Sequence, residues 1–287
     1  MIPVSLDLFA PPANLQNHIS TFFDFRSSLP VFDDVERADL GQIRFMLTGH
    51  GSGRFVDGHV QQTSRAFLLG PTTGPLAITL YGPVLTFGVS ILPQGWDAIT
   101  GTDASLHVNR IIDAGAIFGP QIFDVADALE AAPDLETRAG IAGIFLQNII
   151  AGRHTETKKL TGIINAWLES AFSPDINQLV AMTGLSRRQV ERNCKRAYGV
   201  TPKLLARKYR AIRAAMSLAR GDATLDDCVA AGFYDQSHLI REIKQFTGTT
   251  PGAIPGELSV LARLTLQNVD HLDHMRTPLT SGDATPI

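Results

Sequence analysis

The sequence predicts an α+β protein of two domains. The first is β-rich, barrel- or sandwich-like, with trailing helices; the second is all-α, with two helix-turn-helix units joined by a long helix. Three observations predict this. Apolar residues alternate with period two as far as Leu92, then recur with helical period after about Ile111. The helical part repeats its own apolar skeleton at a shift of 49 residues. The charge is also divided: Met1 to Thr157 carries 8 Lys/Arg against 16 Asp/Glu, whereas Lys158 to Gly256 carries 15 against 8. Net charges of −8 and +7 are thus concealed, with −2 in the tail from Glu257, inside a whole-chain value of −3. Such asymmetry points to one domain that meets a polyanion and one that does not.

The elements follow in chain order. Ile19 to Phe25, Ile43 to Leu47, Ala66 to Leu69, Leu76 to Leu80 and Val84 to Leu92 are short, β-branched or aromatic runs. Gly49 to Gly53, Asp57-Gly58 and Gly70-Pro71 punctuate them as turns. The most apolar stretch, Ala77 to Leu92, is interrupted by Gly82-Pro83, so it reads as two strands and not as a membrane span. The N-terminal residues lack the basic start and apolar core expected of a signal peptide, and two cysteines make neither a disulfide framework nor a four-cysteine zinc site. The expectation is a soluble, cytoplasmic protein with no membrane partner. Thr137 to Arg153 reads as a helix with Ile141, Ile144, Phe145, Asn148 and Ile149 on one stripe, widened by Leu146 and Ile150. Gly140 and Gly143 weaken its intrinsic propensity, so it needs a surface to pack on. Two readings stand: a buried core helix, or a stripe that partly forms a twofold dimer contact. Boundaries are set at 1–153 for the acidic domain, 154–256 for the basic domain and 257–287 for a partly disordered extension.

Within the basic domain, Ile176, Leu179, Val180 and Ala181 overlay Leu225, Cys228, Val229 and Ala230. Val190, Cys194 and Ala197 overlay Leu239, Ile243 and Phe246, and Arg192 and Lys195 overlay Arg241 and Lys244. Each unit reads as a short helix, a turn at Gly184 or Gly232, and a second helix capped by Ser186 or Asp235. Between the units, Lys203 to Ala219 is one helix with Leu205, Tyr209, Ile212, Met216 and Ala219 on its stripe. At about 1.5 Å per residue it spans roughly 25 Å, which with the width of the units approaches one DNA turn of about 34 Å. Ten Lys/Arg and a single acid, Glu191, lie between Arg187 and Arg213. A neutral helical bundle has no reason for that loading.

Ile176 to Pro251 resembles the C-terminal module of AraC/XylS-type bacterial transcription regulators. The resemblance rests on Leu185 to Arg192, on Gly199-Val200-Thr201-Pro202, and above all on Gly232-Phe233-Tyr234-Asp235-Gln236-Ser237-His238-Leu239-Ile240-Arg241. The N-terminal part is more weakly similar to the sensory domains of one branch of this family, through Phe67-Leu68-Leu69-Gly70-Pro71. Two departures are visible. Cys194 stands where the family usually has Phe, which makes the first unit's core smaller. The second unit is also one residue shorter before Gly232 and regains it at Tyr234, which changes the pose of its second helix.

Affinity for DNA comes from Lys/Arg on phosphates, and discrimination from base edges in the major groove. With Val190, Cys194 and Ala197 turned to the core, Arg187, Arg188, Glu191, Arg192 and Lys195 project outward. With Leu239, Ile243 and Phe246 turned in, Gln236, Ser237, Ile240, Arg241 and Lys244 do. Arg pairs bidentately with guanine, Glu accepts from cytosine, Gln suits adenine and Ile a thymine methyl. The resemblance implies that Arg188, Glu191, Arg192, Gln236, Ser237 and Arg241 read bases. It also implies the partners: double-stranded DNA, RNA polymerase, a small-molecule effector and a second copy of the chain.

Other chemistry is weakly signalled. His50 and His59 lack the clustered partners of a cupin-type metal site, and His271 and His274 fall in a polar tail. His238 reads as a capping or packing residue. Cys194 and Cys228 lie on core stripes, where a thiol is inert. No nucleophile elbow, Walker loop or dinucleotide fingerprint occurs. The expectation is a signal-responsive, sequence-specific DNA-binding regulator without cofactor, metal or enzymatic activity. Two alternatives stay open: a barrel enzyme with an accessory DNA-binding domain, and a constitutive DNA-binding protein whose first domain only dimerises.

Overall fold

The computed structural model describes residues 3–152, 158–253 and 259–269. Arg153, Gly256, His271, His274 and the two boundaries set above lie outside the described residues. Eight strands come first: β1 (Val4–Phe9), β2 (Ile19–Ser27), β3 (Val31–Glu36), β4 (Gln42–Arg54), β5 (Val60–Gln62), β6 (Ala66–Leu69), β7 (Leu76–Ile91) and, after helix α1 (Pro93–Thr100), β8 (Ile111–Asp113). They form one antiparallel sheet in the order β1-β2-β7-β4-β6-β8, open at its ends, with β3 added on β7 and β5 on β4.

The alternation of the strands gives the sheet two apolar faces. Ile43, Phe45, Leu68, Phe87 and Val89 point to one side, where α1, α2 (Ala114–Phe118), α3 (Gln121–Ala131) and α4 (Leu135–Ala151) cover them. Phe25, Phe32, Met46, Phe67, Leu76, Ile78 and Leu80 point to the other.

The two strands expected on either side of Gly82-Pro83 are one strand of sixteen residues. Its first half pairs with β3 and its second with β2, so the Gly-Pro step marks a change of partner and not a hairpin. Opposite it, β4 shifts register around Thr48 and His50, with Gly49 in the left-handed region at φ 77°. A proline without a donor is tolerated at such an irregularity because no ladder bond is required of it.

The helix expected from Thr137 is α4, capped by Asp134 on the Thr137 amide at 2.8 Å. Its fully buried face is made of small residues and Leu146: Ala139, Ala142 and Gly143. The branched stripe read from the sequence lies to one side. Ile141, Phe145 and Ile149 pack partly against the core, while Ile144 is 63% exposed. Arg138 at its first turn reaches through the core to Asp24 of β2.

The remaining helices are α5 (Lys158–Glu169), α6 (Ile176–Thr183), α7 (Arg187–Tyr198), α8 (Pro202–Arg220), α9 (Leu225–Gly232), α10 (Gln236–Thr247) and α11 (Val260–Val269). Leu205, Tyr209 and Ile212 of α8 are buried, as its stripe requires. Among the described residues no helix is long and apolar enough to cross a membrane.

Candidate nucleic-acid interface

The first unit, α6 and α7, turns at Gly184, whose φ of 65° is the left-handed conformation that glycine adopts without a Cβ penalty. Ser186 then starts α7 with a capping box: its hydroxyl oxygen takes the Gln189 amide, and the Gln189 side chain takes the Ser186 amide at 3.0 Å. The second unit, α9 and α10, is built differently. Gly232 is the last residue of α9, and the cap falls on Phe233 in extended conformation. Gly232 therefore serves space and not the turn: a Cβ there would lie 2.8 Å from Ser173 Cβ. This is where the one-residue offset between the units is absorbed. Asp235 caps α10 by accepting from the His238 amide, and His238 Nδ1 accepts from the Tyr234 amide at 3.2 Å.

Val190, Cys194, Ala197, Leu239, Ile243 and Phe246 are all buried. Burial pushes both the Cys194 and Cys228 thiols up. All ten residues assigned outward positions are exposed: Arg187, Arg188, Glu191, Arg192 and Lys195 along α7, and Gln236, Ser237, Ile240, Arg241 and Lys244 along α10. Gln236 leans back onto Asp226 of α9 at 2.9 Å, and Tyr234, just before α10, is 90% exposed.

The basic run from Arg187 to Arg213 separates into two sets. Arg207 Nε and Arg210 Nη2 donate to the two carboxylate oxygens of buried Glu242 at 2.6 and 2.7 Å. Arg210 also lies 4.6 Å from the Phe233 ring centroid, and Arg213 Nη1 donates to the Ala171 carbonyl. Arg196 pairs with Asp97 of α1 at 3.0 Å. Lys208 is buried and donates to the carbonyls of Asp39 and Thr72 at 2.7 and 2.9 Å. Half of the run thus builds the helical region and fastens it to the sheet; Arg187, Arg188, Arg192, Lys195 and Lys203 remain on the outside.

The fastening is extensive. Ala38 and Leu40, from the β3–β4 connection, join the apolar cluster formed by Trp167, Val190, Tyr198, Leu205 and Tyr209. The Ala38 amide donates to the Phe246 carbonyl at 2.7 Å. Lys208 is a residue that sequence reading missed: three positions after Leu205 it sits on the apolar stripe of α8, where a lysine needs carbonyl acceptors. Burial, reinforced by nearby Arg37, lowers its amine pKa to about 7 despite the Asp39 carboxylate.

The sheet also encloses a cavity of about 180 Å³ on its second face. Phe23, Phe25, Met46, Phe67 and Ile78 line its apolar body, and Glu36, Arg37, Asp39, Gln42 and Arg44 its polar end. Arg44 donates Nη1 and Nη2 to the Glu36 carboxylate and Nε to Gln42, so its charge is matched in place. His50 stacks on Tyr81, and among the described residues no three His, Cys, Asp or Glu gather into a metal-binding group.

Residues 179–254 match a family model described as a helix-turn-helix domain, so the C-terminal region carries an AraC-type helix-turn-helix domain. No curated protein matches the chain. Among solved structures, the chain is similar to ToxT from Vibrio cholerae with bound unsaturated fatty acid: 11% identity, TM-score 0.46, covering 83% of this chain and 95% of that one. It is also similar to ToxT in its P21 crystal form, at 8% identity and TM-score 0.46 over 88% and 99% of the two chains. The AraC-like transcriptional activator CuxR is 12% identical, with TM-score 0.35 over 73% and 86%.

Proposed function

We propose that this chain is a sequence-specific DNA-binding transcription regulator in which α7 and α10 enter successive major grooves and the sheet cavity receives a small-molecule signal. One observation carries the DNA reading. The basic residues divide into those paired within the protein, Arg196, Arg207, Lys208, Arg210 and Arg213, and those left to solvent on the outer faces of α7 and α10 beside Glu191, Gln236, Ser237 and Ile240. That is the mixture a major groove asks for: cations for phosphates, and hydrogen-bonding or apolar tips for base edges. Helix α8, with 19 residues and about 28 Å of length, holds the two units apart and packs on both. RNA polymerase and a second copy of the chain complete the partners of this reading, and the units of function are the acidic region to 153, the basic region to 256 and the C-terminal extension.

Salt titration tests it. The affinity of the full chain for duplex DNA is expected to fall linearly on a log–log plot, with a slope of about −0.9 for each phosphate neutralised. Lys203→Ala is expected to lower affinity evenly across sequences and to leave the preferred site unchanged. Binding that ignores salt, or no binding to any duplex, contradicts the proposal.

A further inference from the structure

The last described helix does not stay with the domain it follows. α11 comes after the second helix-turn-helix unit, yet it packs against β1 and β3 of the sheet. Ser259 begins it: its hydroxyl donates to the Val35 carbonyl at 3.2 Å and accepts from the Ala262 amide at 3.1 Å. The Leu261 amide donates to the Asp34 carboxylate at 2.8 Å. Val260, Leu261 and Leu264 pack on the apolar cluster of the second sheet face, and Leu261, Ala262 and Thr265 form part of the cavity wall. A ten-residue helix is marginal by itself in water. What holds it is a half-buried seat on the edge strands, so α11 can be released without unfolding the sheet.

We propose that α11 is an intramolecular lid on the cavity, and that a small uncharged, mainly apolar molecule bound beneath it holds the lid to β3. This rests on the reading of the cavity as a signal site. The size follows from the volume: about 180 Å³ remains with α11 seated, and a cavity of about 150 Å³ accommodates benzene. The lack of charge follows from the polar end, where each cation already faces a carboxylate: Arg44 pairs bidentately with Glu36, and Arg37 lies 3.7 Å from Asp39. An anion there would have to compete with Glu36 for Arg44 or with Asp39 for Arg37, whose buried Nη1 has no hydrogen-bond partner among the described residues, and would be desolvated against a largely apolar wall. Because the ligand would touch Leu261 and Ala262, occupancy and seating are linked reciprocally. The same β3 strand runs on into Ala38, which is bonded to the end of α10, so the lid and the second DNA-binding unit share one support.

The test uses the full chain with 4-fluorotoluene as a neutral probe and 4-fluorobenzoate as its anionic counterpart, followed by ¹⁹F NMR, together with amide exchange. The expected result is saturable binding of 4-fluorotoluene, at least tenfold weaker binding of 4-fluorobenzoate, and exchange within α11 slowed several-fold by the neutral probe. A chain ending at Leu258 is expected to bind 4-fluorotoluene at least tenfold more weakly. Asp34→Ala, which leaves every apolar contact in place, is expected to speed exchange in α11 and weaken the probe in parallel. Ala262→Trp is expected to abolish probe binding by filling the cavity. Equal probe affinity with and without α11, or α11 exchange that ignores a bound probe, overturns the lid; stronger binding of the anion overturns the ligand class. Absence of binding by either probe overturns the signal-site reading, and DNA affinity measured on the same samples reports separately on the helix-turn-helix units.

Discussion

Glu242→Ala is expected to destabilise the helical region by about 3–5 kcal/mol, the cost of removing one member of a buried ion cluster. Glu242 is 3% exposed on its side chain and takes both Arg207 and Arg210 of α8, with His238 Nε2 at 3.5 Å. Without it, two guanidinium groups on neighbouring turns of α8 lose their shared counter-charge at the α8–α10 contact. Because this contact fixes α10 on the long helix, DNA affinity should fall along with the urea midpoint. The pH dependence has a definite sign. Burial pushes the Glu242 carboxyl up, but the hydrogen bonds from Arg210 and Arg207 outweigh it and hold the group below its ordinary value. Its stabilisation is therefore complete above the ordinary carboxylate range and is lost as pH falls through the lower value of the folded state. Glu242→Gln should show a weaker loss in acid than the native chain. A change under 1 kcal/mol for Glu242→Ala contradicts this account of the second unit.

The second large effect lies in the sheet. Arg138 of α4 donates Nη1 to Asp24 at 2.8 Å, Nε to the Leu129 carbonyl at 3.0 Å and Nη2 to the Ala132 carbonyl at 2.6 Å. One planar fork thus closes the α3–α4 turn and ties it to β2. Arg138→Ala strands the fully buried Asp24 carboxylate with only Arg26 as partner and is expected to cost about 3–5 kcal/mol in urea unfolding. Arg138→Lys should recover little, because a point ammonium cannot serve three acceptors in that fixed geometry. Near-native stability of Arg138→Ala would show that the helical layer is held by apolar packing alone.

Part of this architecture is legible in the sequence. β6 fell at Ala66–Leu69 as expected because it is short, apolar and bounded by turns. The outer faces of α7 and α10 were legible because their inner faces are marked by strongly apolar residues at helical spacing. The strands β1, β3, β5 and β8 were not, since they are short or carry Asp, Glu and Gln at edge positions, where one face meets solvent and the alternation fades. The stripe of α4 was misplaced because close packing against the sheet is made by Ala139, Ala142 and Gly143, which carry little weight in a hydrophobicity count. The loading of ten Lys/Arg was read as a whole from charge, and Lys208, Arg210 and Arg213 within it are spent on carbonyls and on Glu242. Charge counts cannot see acceptors that arrive from distant parts of the chain. Residues at apolar stripe positions, such as Lys208, are the local trace of such contacts.

The central claim is that two recognition helices on one chain read two grooves. Selection of binding sites from a random duplex library by the full chain, by Arg188→Ala and by Arg241→Ala tests it most directly. The native chain should return a site with two elements about 10 base pairs apart on one face of the duplex. Arg188→Ala should lose preference at one base pair of the first element, and Arg241→Ala at one of the second, each at a cost of about 1–3 kcal/mol on the native site. The same consensus from all three chains, or a native site with a single element, would contradict it.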